Sequence, residues 1–542
     1  MRWVSLIAGC AAAALSGCGS SGMNSGANDP GGGGGGGSSN AADVLTYHND
    51  TMRTGQILSE TALTPSNVNA TSFGKLRVLA ADGNVDAAPL VVDGLSIGGT
   101  THTVVYVASE HDSVYAYDAD SGAVLAQVSL LGNGETPSDD HGCPQVSPEI
   151  GITSTPVIDR AAGPNGTLFV VAMSKDGNGT YYQRLHALDL LTLQDRLSPV
   201  AVHAQAPGSS PDAVNGQLSF APGQYKERGA LLLVQGQIFT VWASHCDGPR
   251  YNGWIMAYNE TALAQTMVLN LTPNGLAGAI WNVAGLAADG TGALYASVAN
   301  GTFDTTLDAN GRPAQQDYGN SALRLSANGS LSITDYFTSW NTVALSDQDV
   351  DFGSGSAVLL PDQTDSSGKT RHLLLVGNKD GSLFLLDRDH LGGFNPNQNQ
   401  MYQQLTLPGG VWSAPAYFNG TVYVGAAGDS LKAYVLSQGL LPPTPSSETS
   451  IHFSYPGAFP AVSASGTSNG IVWAVESNPG NPAVLHAYNP ANLAQEYYNS
   501  GQAANDRDGF GNGNKFITPV IAHGKVFVGA PNGVAVFGAL GN

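Results

Sequence analysis

The sequence predicts an all-β fold in which small antiparallel sheets stand in a closed ring, a β-propeller. Three observations predict it. Gly is abundant, at 69 of 542 residues, while charged residues make up only 12%, a balance that favours short strands and tight turns over long solvated helices. One unit recurs along the chain: a strand often containing Pro, a turn, a strand like VYV, a loop, and an apolar strand often ending in Asp or Asn. The last unit ends at Val536-Phe537 with almost no chain left for an outer strand, while FGKLRVL from Phe73 lies ahead of the first unit and can supply it.

The units follow one another without interruption. The first is DAAPLVVDG…VVYVASEHDSVYAYDADSG from Asp86, and the second is TSTPVID…LFVVAMSKDGNGTYYQRLHALD from Thr153. The third, ALLLVQGQIFTVWASHCDGPRYNGWIMAYN, starts at Ala230, and the fourth runs from AIWNVAGLAADGTGALYASVANGTF at Ala279 to SALRL at Leu325. Then come GSAVLLPD…LLLVGNKDGSLFLLDRD, WSAPAYFNGTVYVGAAGDSLKAY, AVSASGTSNGIVWAVESNPGNPAVLHAYN and TPVIAHGKVFVGAPNGVAVF. This makes about eight units at an average spacing of about sixty residues, within the range of propeller arrays. A small sheet with two apolar faces cannot bury either face alone, and radial packing buries both. Pairing Lys75–Leu79 with Val526–Phe537 would close the ring. A β-helix or a row of sandwiches accounts less well for the missing final strand.

The formal net charge of −21 argues against a nucleic-acid partner, since phosphate binding needs clustered Lys and Arg. Residues 1–17 read as an export signal: Arg2, the short apolar run WVSLIAGCAAAAL, and Leu15-Ser16-Gly17 ahead of Cys18. That ending resembles the lipobox of bacterial lipoproteins, which implies cleavage before Cys18 and lipidation of its sulfur. Gly19 after the Cys suggests outer-membrane sorting in a Gram-negative host; an ordinary secretory signal with an incidental Cys is the alternative. Residues 18–42 form a Gly/Ser-rich tether, and residues 43–542 form the propeller. The expected location is the cell envelope, with the membrane reached through the lipid alone. Cys143 and Cys246 remain as an even pair in an oxidising compartment.

The segment YAYDADSG, Tyr115–Gly122, resembles the blade motif A-x-D-x-x-[ST]-G-x-x-x-W of quinoprotein dehydrogenases, with Leu125 or its neighbours where the family has Trp. LHALD and LHAYN are fragments of the same motif. The resemblance implies an eight-bladed propeller of four-stranded blades from about Ala42 onward. In the pyrroloquinoline quinone dehydrogenases, cofactor residues occupy the starts of inner strands and the loops between second and third strands. By position, Trp281 resembles the Trp that floors the quinone, and Asn300 in ANGTF resembles a calcium ligand. Asp349 in QDVDFGSG resembles the proposed catalytic base, a role that Asp351 could take instead. Lys379 in NKDGSLFLLDRD resembles the cation that hydrogen-bonds the quinone oxygens. Asp247 in SHCDGPRYNGWIMAYN stands near the family's calcium-binding Glu, at a different local spacing.

These residue types suit that chemistry. Calcium takes oxygen donors, so Asp247, Asn300 and the quinone could share it, and the ion would polarise the quinone carbonyl. A buried Asp could take the alcohol proton as hydride moves to the quinone. The departures are as informative. The family's adjacent Cys pair is absent, Cys143-Pro144 lies in its region, and the Arg expected after it is missing. Blade topology puts Cys143 and Cys246 on one face of the ring, where a disulfide between them would partly replace that cover. No CxxCH occurs, so a dehydrogenase would need an external electron acceptor.

Bland roles compete for the same residues. Trp281 could pack between blades, Asn300-Gly301 could be a turn, and Lys379 could be a surface lysine. Asp347, Asp349 and Asp351 lack an EF-hand's Gly and terminal Glu. His111, His186, His245 and His486 have no zinc-like pairing and read as structural. SGKT at Ser367–Thr370 lacks the upstream Gly of a phosphate loop and reads as a surface turn. Two functions follow: an envelope-anchored dehydrogenase oxidising an alcohol or sugar with pyrroloquinoline quinone and calcium, or a non-catalytic propeller binding a protein or glycan.

Overall fold

Alternating apolar residues account for how the blades assemble. Leu294 and Ala296 point into a cluster with Leu232, Phe239 and Ile255 of the preceding blade, while Tyr295 between them points to Leu374 and Phe384 of the following one. A period of two therefore gives each sheet two apolar faces, and each face is buried only against a neighbour.

The structure, a computed structural model, describes residues 43–541 apart from residue 249. It is an eight-bladed β-propeller. Blades 1 to 8 occupy residues 90–129, 157–201, 232–270, 287–338, 358–406, 416–448, 461–499 and 520–539, mostly as four-stranded antiparallel sheets. Blade 8 takes its outer strand from the other end of the chain: Phe73–Ala80 pairs antiparallel with Gly533–Ala539, with Phe73 opposite Ala539 and Leu79 opposite Val534. The expected N-terminal closure is present. Among the described residues the one α-helix is the short Thr342–Asp347, and no helix is long and apolar enough to cross a membrane. Cys18, its lipidation, the signal and the tether lie outside the described residues.

The hub of the ring is filled by the chain itself, which the repeat pattern does not foretell. Val44 pairs with Val91 of blade 1, and the Leu45 carbonyl accepts from Ile158 of blade 2. The carbonyls of Thr51, Met52, Thr54 and Gly55 accept from Ala288, Leu359, Tyr417 and Val462 of blades 4 to 7. Arg53, fully buried, donates to the Leu231 and Leu286 carbonyls at the starts of blades 3 and 4, and to Thr46 and Tyr47 of its own segment. Glu60 accepts from the backbone of Gly524 in blade 8. Residues 44–60 thus give the exposed edges of the inner strands the partners that sheet edges otherwise lack.

Candidate active site

In an antiparallel blade, the connection entering the inner strand and the loop joining the second and third strands lie at the same end. Blade after blade, those two segments therefore converge at one mouth of the ring. The inner-strand connections of six successive blades contribute Arg228, Trp281, Asp351, Trp412, Tyr455 and Phe516. Loops between second and third strands add Cys246, Asp247 and Lys379, and the excursion after the helix adds Asp349. Together with Lys226, Gln145, Ala243 and Ser244 they line a cavity of about 330 Å³. The resemblance places Trp281 and Asp349 at the starts of inner strands, and the structure does not. They sit in the connections ahead of Ala287–Ala288 and Val358–Leu359.

Asp351 is the centre of the polar network. Its Oδ1 accepts from the backbone N–H of Asn300 at 2.8 Å, and its Oδ2 accepts from Trp281 Nε1 at 3.1 Å. Lys379 Nζ lies 2.8 Å from Asp351 Oδ2 and 2.9 Å from Asp349 Oδ1. Burial pushes the Asp351 carboxyl above the usual carboxylate range, against the pull of Lys379 and of the Asn300 N–H. Burial also works against the Lys379 charge, but Asp351 and Asp349 outweigh it and hold the ammonium above the usual lysine value. Asp349 differs from its neighbour, with a side chain 63% exposed against 3% for Asp351.

Aromatic rings bound the rest of the cavity. Trp281 is half-buried, with its ring 6.4 Å from Phe516 and Lys379 Nζ 5.7 Å from its centroid. Tyr455 packs edge-on against Trp412 at 5.3 Å and against Phe516 at 6.2 Å. Four of the lining residues, Cys246, Asp247, Asp349 and Phe516, hold left-handed backbone conformations (φ 48°, 56°, 56° and 68°). Such conformations cost roughly 1 kcal/mol or more per residue. The Cys143–Cys246 disulfide is formed, with Cα atoms 5.6 Å apart, and Cys246 lies on the cavity wall.

Of the residues singled out in the sequence, Trp281, Asp349, Lys379 and Asp247 share the cavity. Asn300 stands behind it, its amide donating to Asp349 Oδ1 at 3.2 Å. Asp247 is engaged elsewhere, accepting from Tyr251 Oη at 2.5 Å. Lys226, Arg228, Trp412, Tyr455 and Phe516 were missed. Their signal was positional, since each lies in the connection entering an inner strand, the register already assigned to Trp281.

No protein-family model and no curated protein sequence matches the chain. Its likeness is to solved structures, among them the propellers of quinoprotein dehydrogenases. Quinohemoprotein alcohol dehydrogenase from Comamonas testosteroni superposes with a TM-score of 0.58 and 15% identity, over 92% of this chain and 80% of that one. A quinohemoprotein alcohol dehydrogenase of Pseudomonas putida HK5 gives the same values. A europium-containing methanol dehydrogenase gives 0.55 and 13%, over 92% of this chain and 98% of that one. At these identities the likeness is one of fold.

The residues fit the two cofactors of the quinoprotein resemblance unequally. A flat, anionic quinone suits a cavity with a half-buried indole, further aromatic rings and the cations Lys226, Arg228 and Lys379. Calcium suits it less. The two acids nearest Trp281 already share Lys379, and among the described residues no three His, Cys, Asp or Glu side chains gather as a metal-holding group.

Proposed function

We propose that the chain is a quinone-dependent dehydrogenase of the cell envelope. In this reading it binds pyrroloquinoline quinone in the axial cavity, oxidises a small alcohol or sugar, and passes electrons to an external acceptor. The observation that carries the reading is the meeting of Trp281, Asp351 and Lys379 on one cavity, through a hydrogen bond of 3.1 Å and an ion pair of 2.8 Å. The quinone, when bound, supplies a carbonyl that accepts two electrons as hydride. Trp281 offers it a flat face, and Lys379 offers a charged donor at its edge. Asp351 is the better proton acceptor of the two acids, because burial raises its affinity for a proton toward the working range of a general base. Asp349 then serves to hold Lys379 in position. The disulfide at Cys246 shields part of the cavity from water.

The test is reconstitution. Purified protein is mixed with pyrroloquinoline quinone, with and without calcium, and binding is followed by visible absorbance and tryptophan quenching. Loaded protein is then offered alcohols and sugars with a dye as acceptor. Saturable binding and dye reduction with at least one substrate are expected. No binding in either condition would hand the fold to the non-catalytic reading, a propeller holding a protein or glycan at the envelope.

A further inference from the structure

The cavity has a second, cationic wall that plays no part in the chemistry above. Lys226 and Arg228 precede blade 3 and line the cavity, while Lys515 precedes blade 8, shares an adjoining cleft with Arg228, and lies close enough for its charge to reach Lys226 and Arg228. Arg228 is 7% exposed, its guanidinium lies 4.6 Å over the Phe516 ring, and its Nε has no hydrogen-bond partner. Lys226 is 3% exposed, and the charges that reach it, Arg228, Glu110, Lys515 and Asp86, do so without a hydrogen bond. Lys515 is held by Gln145, a neutral group, at 2.5 Å. The nearby acids do not balance this charge. Asp86 is one carboxylate acting on three cations, and burial, with the Asp86 charge beside it, keeps the Glu110 carboxyl well above the usual range. Burial, with Arg228 close by, likewise brings Lys226 down to about 7. Buried cations are normally paired, because an unpaired one gives up its hydration for nothing.

We propose that Lys226 and Arg228, reinforced by the neighbouring charge of Lys515, form an anion site that receives the carboxylates of the cavity's ligand, which must therefore be a polycarboxylate on a flat aromatic frame. Only the identity of that frame rests on the quinone reading. Arg228 is suited to the task, since its planar fork can take a carboxylate through two parallel hydrogen bonds while its face stays on Phe516. Gln145 and Trp412 lie on the same cavity and bound the space between this wall and Lys379.

The experiment uses two ligands, pyrroloquinoline quinone and the redox-inert tricarboxylate trimesate, with the neutral triamide of trimesate as control. Affinities are measured by calorimetry on the wild type, Arg228→Met, Lys226→Met and Arg228→Lys, each checked for wild-type circular dichroism. Trimesate should bind and its triamide should not. Each Met variant should lose about tenfold or more in affinity for both acids, as expected for a charge-assisted contact, with partial recovery in Arg228→Lys. Quinone binding that both Met variants leave unchanged would overturn the anion site and spare the quinone reading. Trimesate binding with these losses, but no quinone binding, would support the anion site and sink the quinone reading. Failure of both ligands to bind would overturn both.

Discussion

Lys379 Nζ stands 2.8 Å from Asp351 Oδ2, at the floor of a cavity whose ligand-facing rings are aromatic. The pair is a structural load as well as a chemical device. An acid whose folded pKa is raised binds more protons folded than unfolded, so stability falls as pH rises from the usual carboxylate range through the folded value. Lys379→Met removes the compensating charge. It should cost about 3 kcal/mol at neutral pH and steepen that fall, as read from urea midpoints across pH. A variant as stable as wild type at neutral pH would show that Asp351 does not depend on Lys379.

Ring closure should be costly to disturb. Phe73 is fully buried at the start of the closing strand, edge-on to Tyr498 at 5.0 Å and 5.6 Å from Trp473. Phe73→Ala should therefore destabilise the whole propeller by about 3–5 kcal/mol in denaturant unfolding. A loss confined to a separately melting segment would mean that the strand decorates the ring without closing it.

The disulfide spans a sequence separation of 103 residues. Loop-entropy reasoning gives about 4.7 kcal/mol for a bridge of that reach. The Cys143→Ser, Cys246→Ser double variant should lose stability of that order. It should also bind quinone more weakly, because Cys246 forms cavity wall. Unaltered quinone affinity would confine the bridge to a stabilising role.

His486 predicts a pH response of known sign. Its ring is buried, which opposes its charge, but Glu476 at 2.9 Å and Glu496 at 2.6 Å prevail and hold its pKa above the usual histidine value. A raised folded pKa means stability that is complete below about 6.5 and lost as pH rises through the folded value. His486→Gln should flatten the stability profile on that alkaline side. A profile identical to wild type would mean that the imidazole is neutral in the folded protein.

Anchoring at Cys18 is testable by fractionation. Cys18→Ser should move the protein from the membrane to the soluble envelope fraction, since the lipid is the only membrane contact proposed. Full membrane retention would rule that proposal out.

The architecture was legible because its signals are local and repeated. Strand pairs such as LVV with VVYV, and the unpaired final unit, are written in consecutive residues. Trp281, Lys379 and Asp349 were legible through the resemblance of their positions to those of quinoprotein blades. Arg228 and Phe516 were not, because nothing near either in the chain indicates that they meet; their contact exists only once blades 3 and 8 close around the axis. The hub was missed for a similar reason. LTYHNDTMRTGQI carries no strand-like alternation, since its carbonyls serve one blade after another. The relative importance of Asp349 and Asp351 depended on burial, which their shared loop sequence could not reveal.

The hub segment also orders events in time. Residues 44–60 are synthesised before every blade, yet their hydrogen-bond partners run from Val91 to Gly524. Until blades 3 and 4 exist, Arg53 has no Leu231 or Leu286 carbonyl to meet, and its charge must stay in water. A chain halted partway cannot seat its own axle. The hub therefore completes its hydrogen bonds only when blade 8 has been made.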